Sequence, residues 1–139
     1  MHADHQLNCH IKAKLKFTVD HIERGRNAEK LAAGYLRVRG YHIWKSNWRW
    51  GKRELDLVAI YRGELVIVEV KSMVGNRVNH PSEVVDGPKQ RNIILASEGF
   101  IRRFNSRRPT RFDVIAVMYF ADGVQIEHFK NAFYSGDEF

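Results

Sequence analysis

Residues 53–71 read RELDLVAIYRGELVIVEVK, and this stretch decides the fold. Apolar and β-branched residues dominate on both sides of residues 62–64, which predicts two strands joined by a tight turn. Acidic residues are normally depleted from such strands, yet Asp56 and Glu69 interrupt them. Alternate residues of a strand share a side, so Glu69 faces the same way as Lys71. Antiparallel pairing can therefore bring Asp56, Glu69 and Lys71 into one small volume.

Two carboxylates and an ammonium gathered in this way predict a site for a divalent metal ion. Asp56 and Glu69 would be ligands of Mg²⁺ or Mn²⁺, hard cations that prefer oxygen donors, and the Val70 carbonyl could complete the set. The metal would polarise a phosphate and lower the pKa of a bound water. Lys71 would orient that water or neutralise charge in the transition state. The alternative is that these side chains are exposed and form cross-strand ion pairs, but the apolar flanks favour the functional interpretation.

Two further carboxylates are candidates, each with an alternative. Glu54 faces the same way as Asp56, so it is either a supporting group or extra ligand, or the partner of a nearby cation. Those cations are Arg49, Lys52 and Arg53. Glu29 could reach the metal from the first helix, whereas its position alone favours a carboxylate stabilised by the helix macrodipole.

Composition limits the classes of function. The chain has 139 residues, which suits one domain, and its net charge of +7 with a pI of about 9.8 favours a polyanionic partner. Cys9 is the only cysteine, so a disulfide within the chain and a Cys-rich zinc site are excluded, and a reducing compartment is expected. No apolar run approaches the roughly 18 residues of a membrane span, and the N-terminus lacks the apolar core of a signal peptide. A cytoplasmic location without membrane association is expected.

Periodicity predicts one α/β domain over residues 20–139, preceded by an extension over residues 1–19 that can be disordered. From Asn27, apolar residues spaced at i, i+3 and i+4 predict an amphipathic helix that Gly40 ends. Further along, residues 72–88 contain too many Gly, Pro and Asn to be regular throughout, which predicts a mobile functional loop. The other predicted elements are strands near 41–48, 54–61 and 64–71, a helix over 89–104, and strands over 111–120 and 124–129.

A set of cations is expected to contact nucleic-acid phosphates in a salt-dependent and largely sequence-independent way. The set comprises Lys89, Arg91, Arg107, Arg108 and Arg111. Arg102 and Arg103 have a strong alternative, since cations are favoured at a helix C-terminus. Three tryptophans on one predicted strand could stack on bases, although at least part of this set is expected in the core. They are Trp44, Trp48 and Trp50.

Taken in order, these residues resemble the PD-(D/E)XK nuclease superfamily. More closely, the chain resembles the YraN family of predicted bacterial endonucleases, which is distantly similar to archaeal Holliday-junction resolvases. The likeness covers Gly25 to Phe133. The matching residues are Gly25-Arg26-Asn27-Ala28-Glu29, Ala32, Tyr35-Leu36, Gly40-Tyr41, Asn47-Trp48-Arg49, Glu54-Leu55-Asp56-Leu57-Val58-Ala59, Leu65-Val66-Ile67-Val68-Glu69-Val70-Lys71, Lys89, Arg111-Phe112-Asp113-Val114 and Asn131-Ala132-Phe133. The chain departs from the family at Ala28, where Gly is usual, and at Ser72-Met73, where Thr-Arg is usual.

The resemblance implies a restriction-endonuclease-like α/β fold, with a central mixed β-sheet flanked by helices. It places Asp56, Glu69 and Lys71 on the catalytic motif and Glu29 on the acidic position of the first helix, which shifts Glu29 toward a functional role. The expected activity is Mg²⁺- or Mn²⁺-dependent endonuclease cleavage of DNA rather than RNA. Branched DNA and a homodimer are expected only by analogy with the resolvases.

The alternative function is a catalytically silent nucleic-acid-binding module with the same fold. A phosphohydrolase acting on small nucleotides is disfavoured, because the sequence has no glycine-rich loop of the kind that cradles phosphates.

Overall fold

The computed structural model describes residues 21–135 and arranges them around one five-stranded sheet. The elements are α1 (His21–Val38), β1 (His42–Trp50), β2 (Arg53–Tyr61), β3 (Glu64–Val74), α2 (Gly87–Phe104), β4 (Thr110–Phe120) and β5 (Gly123–Phe133), with a short 3-10 helix (Pro81–Glu83) between β3 and α2. The extension predicted for residues 1–19 lies outside the described residues. Within residues 21–135, neither helix is long and apolar enough to cross a membrane.

The sheet is mixed, in agreement with the prediction. Its strands lie in the order β1-β2-β3-β4-β5. Strands β3 and β4 run parallel, and every other neighbouring pair is antiparallel. Parallel strands need a crossover connection, and α2 lies in that connection. The predicted α/β class and the predicted order of helices and strands are confirmed.

The two helices cover opposite faces of the sheet. On one face, Ala28, Ala32 and Leu36 of α1 pack against the central strands, and the small alanines allow a close approach. On the other face, Ile93 and Phe100 of α2 do the same. Strand β4 lies between these two layers and is buried along almost its whole length, as its apolar sequence predicts.

The segment over residues 72–88 is more regular than its composition predicts. Strand β3 continues to Val74, because β4 pairs with it up to that residue. Helix α2 begins at Gly87 rather than at Lys89. Asp86 caps it by accepting a hydrogen bond from the Lys89 N–H at 2.9 Å, and a proline in the first turn is tolerated because its missing N–H needs no partner there.

Three other boundaries differ from the prediction by a few residues. Helix α1 begins at His21 rather than Asn27, β1 continues to Trp50, and β5 continues to Phe133. The predicted end of α1 is confirmed. Gly40 has φ of +90°, a conformation that favours glycine, and the Tyr41 N–H then donates to a carbonyl of the last turn.

Candidate active site

The strand pair that carries the acidic residues separates at Asp56. The antiparallel register of β2 and β3 ends at Leu57 opposite Val68. Beyond that pair, the Val70 N–H donates a hydrogen bond to Asp56 Oδ2 at 2.8 Å, so a side chain of β2 takes the place of a backbone carbonyl. The carboxylate is therefore fixed against the backbone of β3, next to Glu69.

Asp56 and Glu69 form a close carboxylate pair. Glu69 is only 4% exposed, and the two carboxyl groups lie close enough to share a proton. Burial is the largest cause and the negative charge of Glu69 is the second, and together they raise the pKa of Asp56 to about 8. A pKa of about 8 means that Asp56 mostly holds its proton at neutral pH unless a further cation joins the pair.

Lys89 already supplies one positive charge to the pair. Its Nζ lies 3.3 Å from Glu69 Oε1. Burial lowers the pKa of Lys89, but the charges of Glu69 and Asp56 outweigh burial and raise the pKa above its ordinary value. The structure places Lys89 at the start of α2 against Glu69, where one ammonium faces two carboxyl groups. The predicted contact of Lys89 with a phosphate stays a prediction.

Glu29 approaches the pair from α1. Burial raises the pKa of Glu29, a hydrogen bond with the Asn47 side chain opposes this, and the charges of Asp56 and Glu54 raise it further. Asn47 lies on β1 between Ser46 and Trp48, which pair with Leu57 and Leu55 on either side of Asp56, and its φ of +52° is a conformation that asparagine tolerates. The structure thus brings Glu29 within electrostatic reach of Asp56, and its catalytic role stays a prediction.

Glu54 and Lys71 lie at the periphery of the pair. Glu54 Oε2 is 3.5 Å from Arg49 Nη2, so the ion pair that sequence reasoning left open is formed, on an exposed surface where it adds little stability. Lys71 follows Glu69 by two residues on β3 and is exposed. Among residues 21–135, no three His, Cys, Asp or Glu side chains are grouped closely enough to hold a metal ion by themselves.

The cations predicted to contact phosphates are spread over the domain. Arg91 is exposed on the first turns of α2, close to Lys89. Arg107 and Arg108 are exposed in the connection from α2 to β4. Arg108 Nη1 donates to the Gly63 carbonyl at 3.4 Å, and Gly63 forms the turn of the β2–β3 hairpin, at the end opposite Asp56. Contact of Arg91, Arg107 and Arg108 with nucleic acid stays a prediction.

The prediction that Arg111 contacts a phosphate needs correction, because Arg111 belongs to a buried polar cluster. Arg111 is 8% exposed, and its Nε and Nη2 donate to the two carboxylate oxygens of Asp113 at 2.9 and 2.8 Å. His128 Nε2 and the Asn131 N–H lie 2.7 and 3.1 Å from the same carboxylate. Burial raises the pKa of Asp113, but the hydrogen bonds from His128 and Arg111 outweigh burial and hold it below its ordinary value. The guanidinium compensates this buried charge and is not available to a phosphate.

We call Arg111, Asp113, His128 and Asn131 the Asp113 cluster, and its two buried titratable side chains do not form a second catalytic site. The His128 and Asp113 side chains are 3% and 0% exposed, so a substrate cannot reach them. Sequence reasoning missed the cluster. The available signal was an aspartate within an almost unbroken apolar strand, since a charge buried there must be paired.

The three tryptophans divide between core and surface. Trp44 and Trp48 each pack edge-on against Phe100 with ring centroids 5.1 Å apart. Trp50, by contrast, is 39% exposed. The expectation that part of this set lies in the core is confirmed, and Trp50 is the one of the three with substantial exposure.

A cleft of about 340 Å³ lies away from the carboxylate pair, between the C-terminal half of α2 and the start of β4 and end of β5. Its lining includes neither Asp56 nor Glu69, and Glu98 is its single carboxylate. We place the candidate active site at the carboxylate pair, because closely spaced groups with a strongly shifted pKa supply chemistry that shape alone does not.

The carboxylate pair predicts that the metal-free protein loses stability as pH rises. The pKa of Asp56 in the folded state is about 8, above the value of about 3.9 expected in the unfolded chain. Between these values the folded state binds more protons, so the free energy of unfolding falls with rising pH. We expect a loss on the order of a few kcal/mol between about pH 5 and pH 8, measured by urea unfolding in EDTA.

The matched control for this measurement is Asp56→Asn. Its amide oxygen can still accept the Val70 N–H, but the side chain cannot ionise. The variant should lose much less stability over the same pH range. Parallel profiles for the two proteins would show that Asp56 does not carry the pH dependence.

The fold and the site define a mixed α/β protein with a buried carboxylate pair where two antiparallel strands separate. Residues 28–117 match the model of the uncharacterised protein family UPF0102. The chain is 41% identical over 115 residues to a UPF0102 protein of Phocaeicola vulgatus, covering 83% of this chain and 95% of the relative. It is 45% identical over 116 residues to one of Porphyromonas gingivalis (82% and 86% covered) and 42% identical over 118 residues to one of Syntrophotalea carbinolica (84% and 95% covered).

The chain therefore belongs to the UPF0102 family, which is the YraN group indicated by the sequence. The matched range contains Glu29, Asp56, Glu69, Lys71 and Lys89, the residues around the carboxylate pair.

Proposed function

We propose that this protein is a Mg²⁺- or Mn²⁺-dependent endonuclease that hydrolyses DNA phosphodiester bonds, with a restriction-endonuclease-like fold of the PD-(D/E)XK superfamily. The observation that carries the proposal is the buried pair of Asp56 and Glu69. Within residues 21–135, Lys89 is the cation that forms an ion pair with this site, so the pair keeps an unbalanced negative charge once Asp56 is ionised. A divalent cation would balance that charge.

The donor set fits a hard divalent cation. Asp56 and Glu69 offer carboxylate oxygens, and the Val70 carbonyl is next to the N–H that binds Asp56. Mg²⁺ typically keeps several waters and uses one or two protein carboxylates, so a group of three acidic side chains is not required. Ligands must be deprotonated, so binding would release the proton that Asp56 holds near neutral pH. When bound, such an ion polarises a phosphate and lowers the pKa of a coordinated water.

The remaining residues have roles that follow from their positions. Lys89 holds Glu69 by its 3.3 Å ion pair and fixes the carboxylate that faces Asp56. Lys71 is exposed on the strand that carries Glu69, so its ammonium can reach a phosphate and stabilise charge that develops there. Glu29 and Asn47 border Asp56 on the side of α1 and can orient a water.

DNA as the substrate is supported by the net charge of +7 and by the resemblance to nucleases. Branched DNA and a homodimer that cuts two strands are proposed by analogy with the resolvases alone. A cytoplasmic location would give the enzyme access to such DNA.

The second candidate is a nucleic-acid-binding module without catalysis. It is favoured by the ion pair of Lys89 with Glu69, because this ammonium, together with a proton that the raised pKa of Asp56 keeps on the pair, would balance its charge near neutral pH without any metal. A module of this kind would keep the basic surface and bind DNA without cutting it.

A cleavage experiment separates the two candidates. Labelled linear, single-stranded, flapped and four-way-junction DNA would be incubated with the protein and Mg²⁺ or Mn²⁺. We expect metal-dependent cutting that is lost in Asp56→Ala and Lys71→Ala, since one removes a ligand and the other a cation near the phosphate. Wild-type protein that binds these DNAs and cuts none of them would support the binding module.

Matched controls come from the exposed face of β5. Glu127→Ala and Lys130→Ala remove a carboxylate and an ammonium of the same kinds from exposed positions outside the candidate site. Both should cut at the wild-type rate. Equal loss in these controls would show that the assay reports general charge or folding and not the carboxylate pair.

A further inference from the structure

The hairpin that joins β1 and β2 lies against α2 and presents an exposed tryptophan. Trp50 is 39% exposed although its ring packs closely on Gly99 of α2. A Cβ atom at Gly99 would come within 2.6 Å of two ring atoms, so only glycine permits this position of the indole. The glycine is costly within a helix. The close packing of the Trp50 ring on Gly99 explains why a glycine is present there.

Cations surround this tryptophan. Lys52 is exposed in the hairpin, and Arg53 Nε donates to Asn92 Oδ1 at 3.2 Å, which ties the hairpin to α2. The Arg102 guanidinium lies 5.7 Å from the centre of the Trp50 ring. We call Trp50, Lys52, Arg53 and Arg102 the Trp50 strip.

The Trp50 strip is continuous with the candidate active site. Lys89, which contacts Glu69, and Asn92, which holds Arg53, are one helical turn apart on α2. Arg102 follows on the same helix, about 20 Å from Lys89 at 1.5 Å of rise per residue. A polyanion that leaves the carboxylate pair along α2 would meet Arg53, then Trp50 and then Arg102.

We propose that a single-stranded segment of the substrate nucleic acid binds the Trp50 strip, with one base stacked on Trp50 and phosphates paired with Lys52, Arg53 and Arg102. The proposal rests on the proposed action of the carboxylate pair on DNA. An aromatic ring beside cations fits an unpaired strand, because a base can stack on it only when it is free of its own duplex. The abundance of cations around one ring favours nucleic acid over a protein partner.

The test measures binding in EDTA, so that it does not depend on cleavage. Anisotropy would give the affinity of wild type and variants for a fluorescent oligo-dT and for a blunt duplex of equal length. Trp50→Ala should bind oligo-dT about five-fold or more weakly, the loss expected for one stacked base, and bind the duplex nearly as wild type does. Arg102→Ala should lower the slope of log affinity against log salt for oligo-dT by about 0.7.

Controls separate loss of contact from loss of folding. Arg37→Ala removes an exposed arginine of α1, on the opposite face of the sheet, and should bind like wild type. Gly99→Ala introduces a better helix former on α2 but displaces the indole, so it should weaken oligo-dT binding as Trp50→Ala does. If Trp50→Ala does not fold, Trp50→Phe keeps a ring on Gly99. Oligo-dT should then quench tryptophan fluorescence in wild type but much less in Trp50→Phe, where Trp44 and Trp48 remain.

The outcomes decide the proposal independently of the nuclease activity. Unchanged oligo-dT affinity in Trp50→Ala, equal losses for oligo-dT and duplex, or equal quenching in wild type and Trp50→Phe would overturn the Trp50 strip. Selective loss of oligo-dT binding by a protein that cuts no DNA would support the strip and the silent binding module. Metal-dependent cutting of flaps that Trp50→Ala leaves unchanged, together with unchanged binding, would support the nuclease and reject the strip.

Discussion

Replacing Asp56 by asparagine is expected to slow metal-dependent DNA cleavage by at least about 10³-fold, equivalent to about 4 kcal/mol of transition-state stabilisation. The amide keeps the shape of the side chain and an oxygen that can accept the Val70 N–H, which lies 2.8 Å from Asp56 Oδ2. What it removes is the charge that, next to Glu69, would attract a divalent cation. The loss should therefore appear in the chemical step while the fold is retained.

Single-turnover rates on the preferred DNA substrate would measure this effect, with circular dichroism as a check on folding. Glu69→Gln should cause a loss of similar size. The double variant Asp56→Asn/Glu69→Gln should lose little more than either single variant, because both carboxylates would serve one metal ion and act as a unit. A rate within about ten-fold of wild type for Asp56→Asn would reject Asp56 as a ligand of the reacting metal.

Most of the fold and the centre of the site could be predicted from local sequence. Periodicity identified every strand and both helices, because an amphipathic helix and half-buried or buried strands carry different spacings of apolar residues. Asp56 and Glu69 stood out because acidic residues rarely occur within apolar strands. Their close contact, which is needed for any shared chemistry, is what the structure adds.

The parts that could not be predicted depend on contacts between distant segments. The ion pair of Lys89 with Glu69 could not be predicted, because only the crossover through α2 places the Lys89 Nζ 3.3 Å from Glu69 Oε1. The place of Asn47 beside the candidate site could not be predicted, although Asn47 is one of the residues that match the family, since it depends on a positive φ and on the approach of Glu29 from α1. The role of Gly99 could not be predicted either, because a glycine within a helix is unfavourable by itself and only the packing of Trp50 on it accounts for its position.

Arg111 shows why residue type alone does not settle a role. An arginine in a basic chain is a reasonable phosphate contact, but its neighbour two residues along the strand is a buried aspartate. In an extended strand these two side chains share a face, which is how both guanidinium bonds to Asp113 become possible. The charge of Asp113, fully buried, determines where the guanidinium lies.

Replacing Asp113 by alanine is accordingly expected to lower the free energy of unfolding by about 3–5 kcal/mol. The change would leave the Arg111 guanidinium buried without its carboxylate, and the Asn131 N–H and His128 Nε2 without the acceptor that they now contact at 3.1 and 2.7 Å. Urea unfolding at neutral pH would measure the loss. The matched control is Glu64→Gln, since Glu64 Oε1 lies 3.6 Å from Arg111 Nη1 on a 39% exposed side chain. That ion pair should contribute no more than about 1 kcal/mol.

Two further measurements distinguish a folding role for the Asp113 cluster from a catalytic one. Arg111→Met/Asp113→Leu replaces the buried charges by apolar groups, and it should recover much of the stability that Asp113→Ala loses, because no unpaired charge remains. At a temperature where Asp113→Ala is fully folded, metal-dependent cleavage should proceed near the wild-type rate, since the Asp113 side chain is fully buried and closed to substrate. A loss of stability below about 1 kcal/mol would contradict the structural role. A different outcome would be a fall in cleavage as large as that of Asp56→Asn in folded Asp113→Ala protein. It would mean that the Asp113 cluster affects the active site through β4, which pairs with β3 in parallel and places Val114 opposite Glu69.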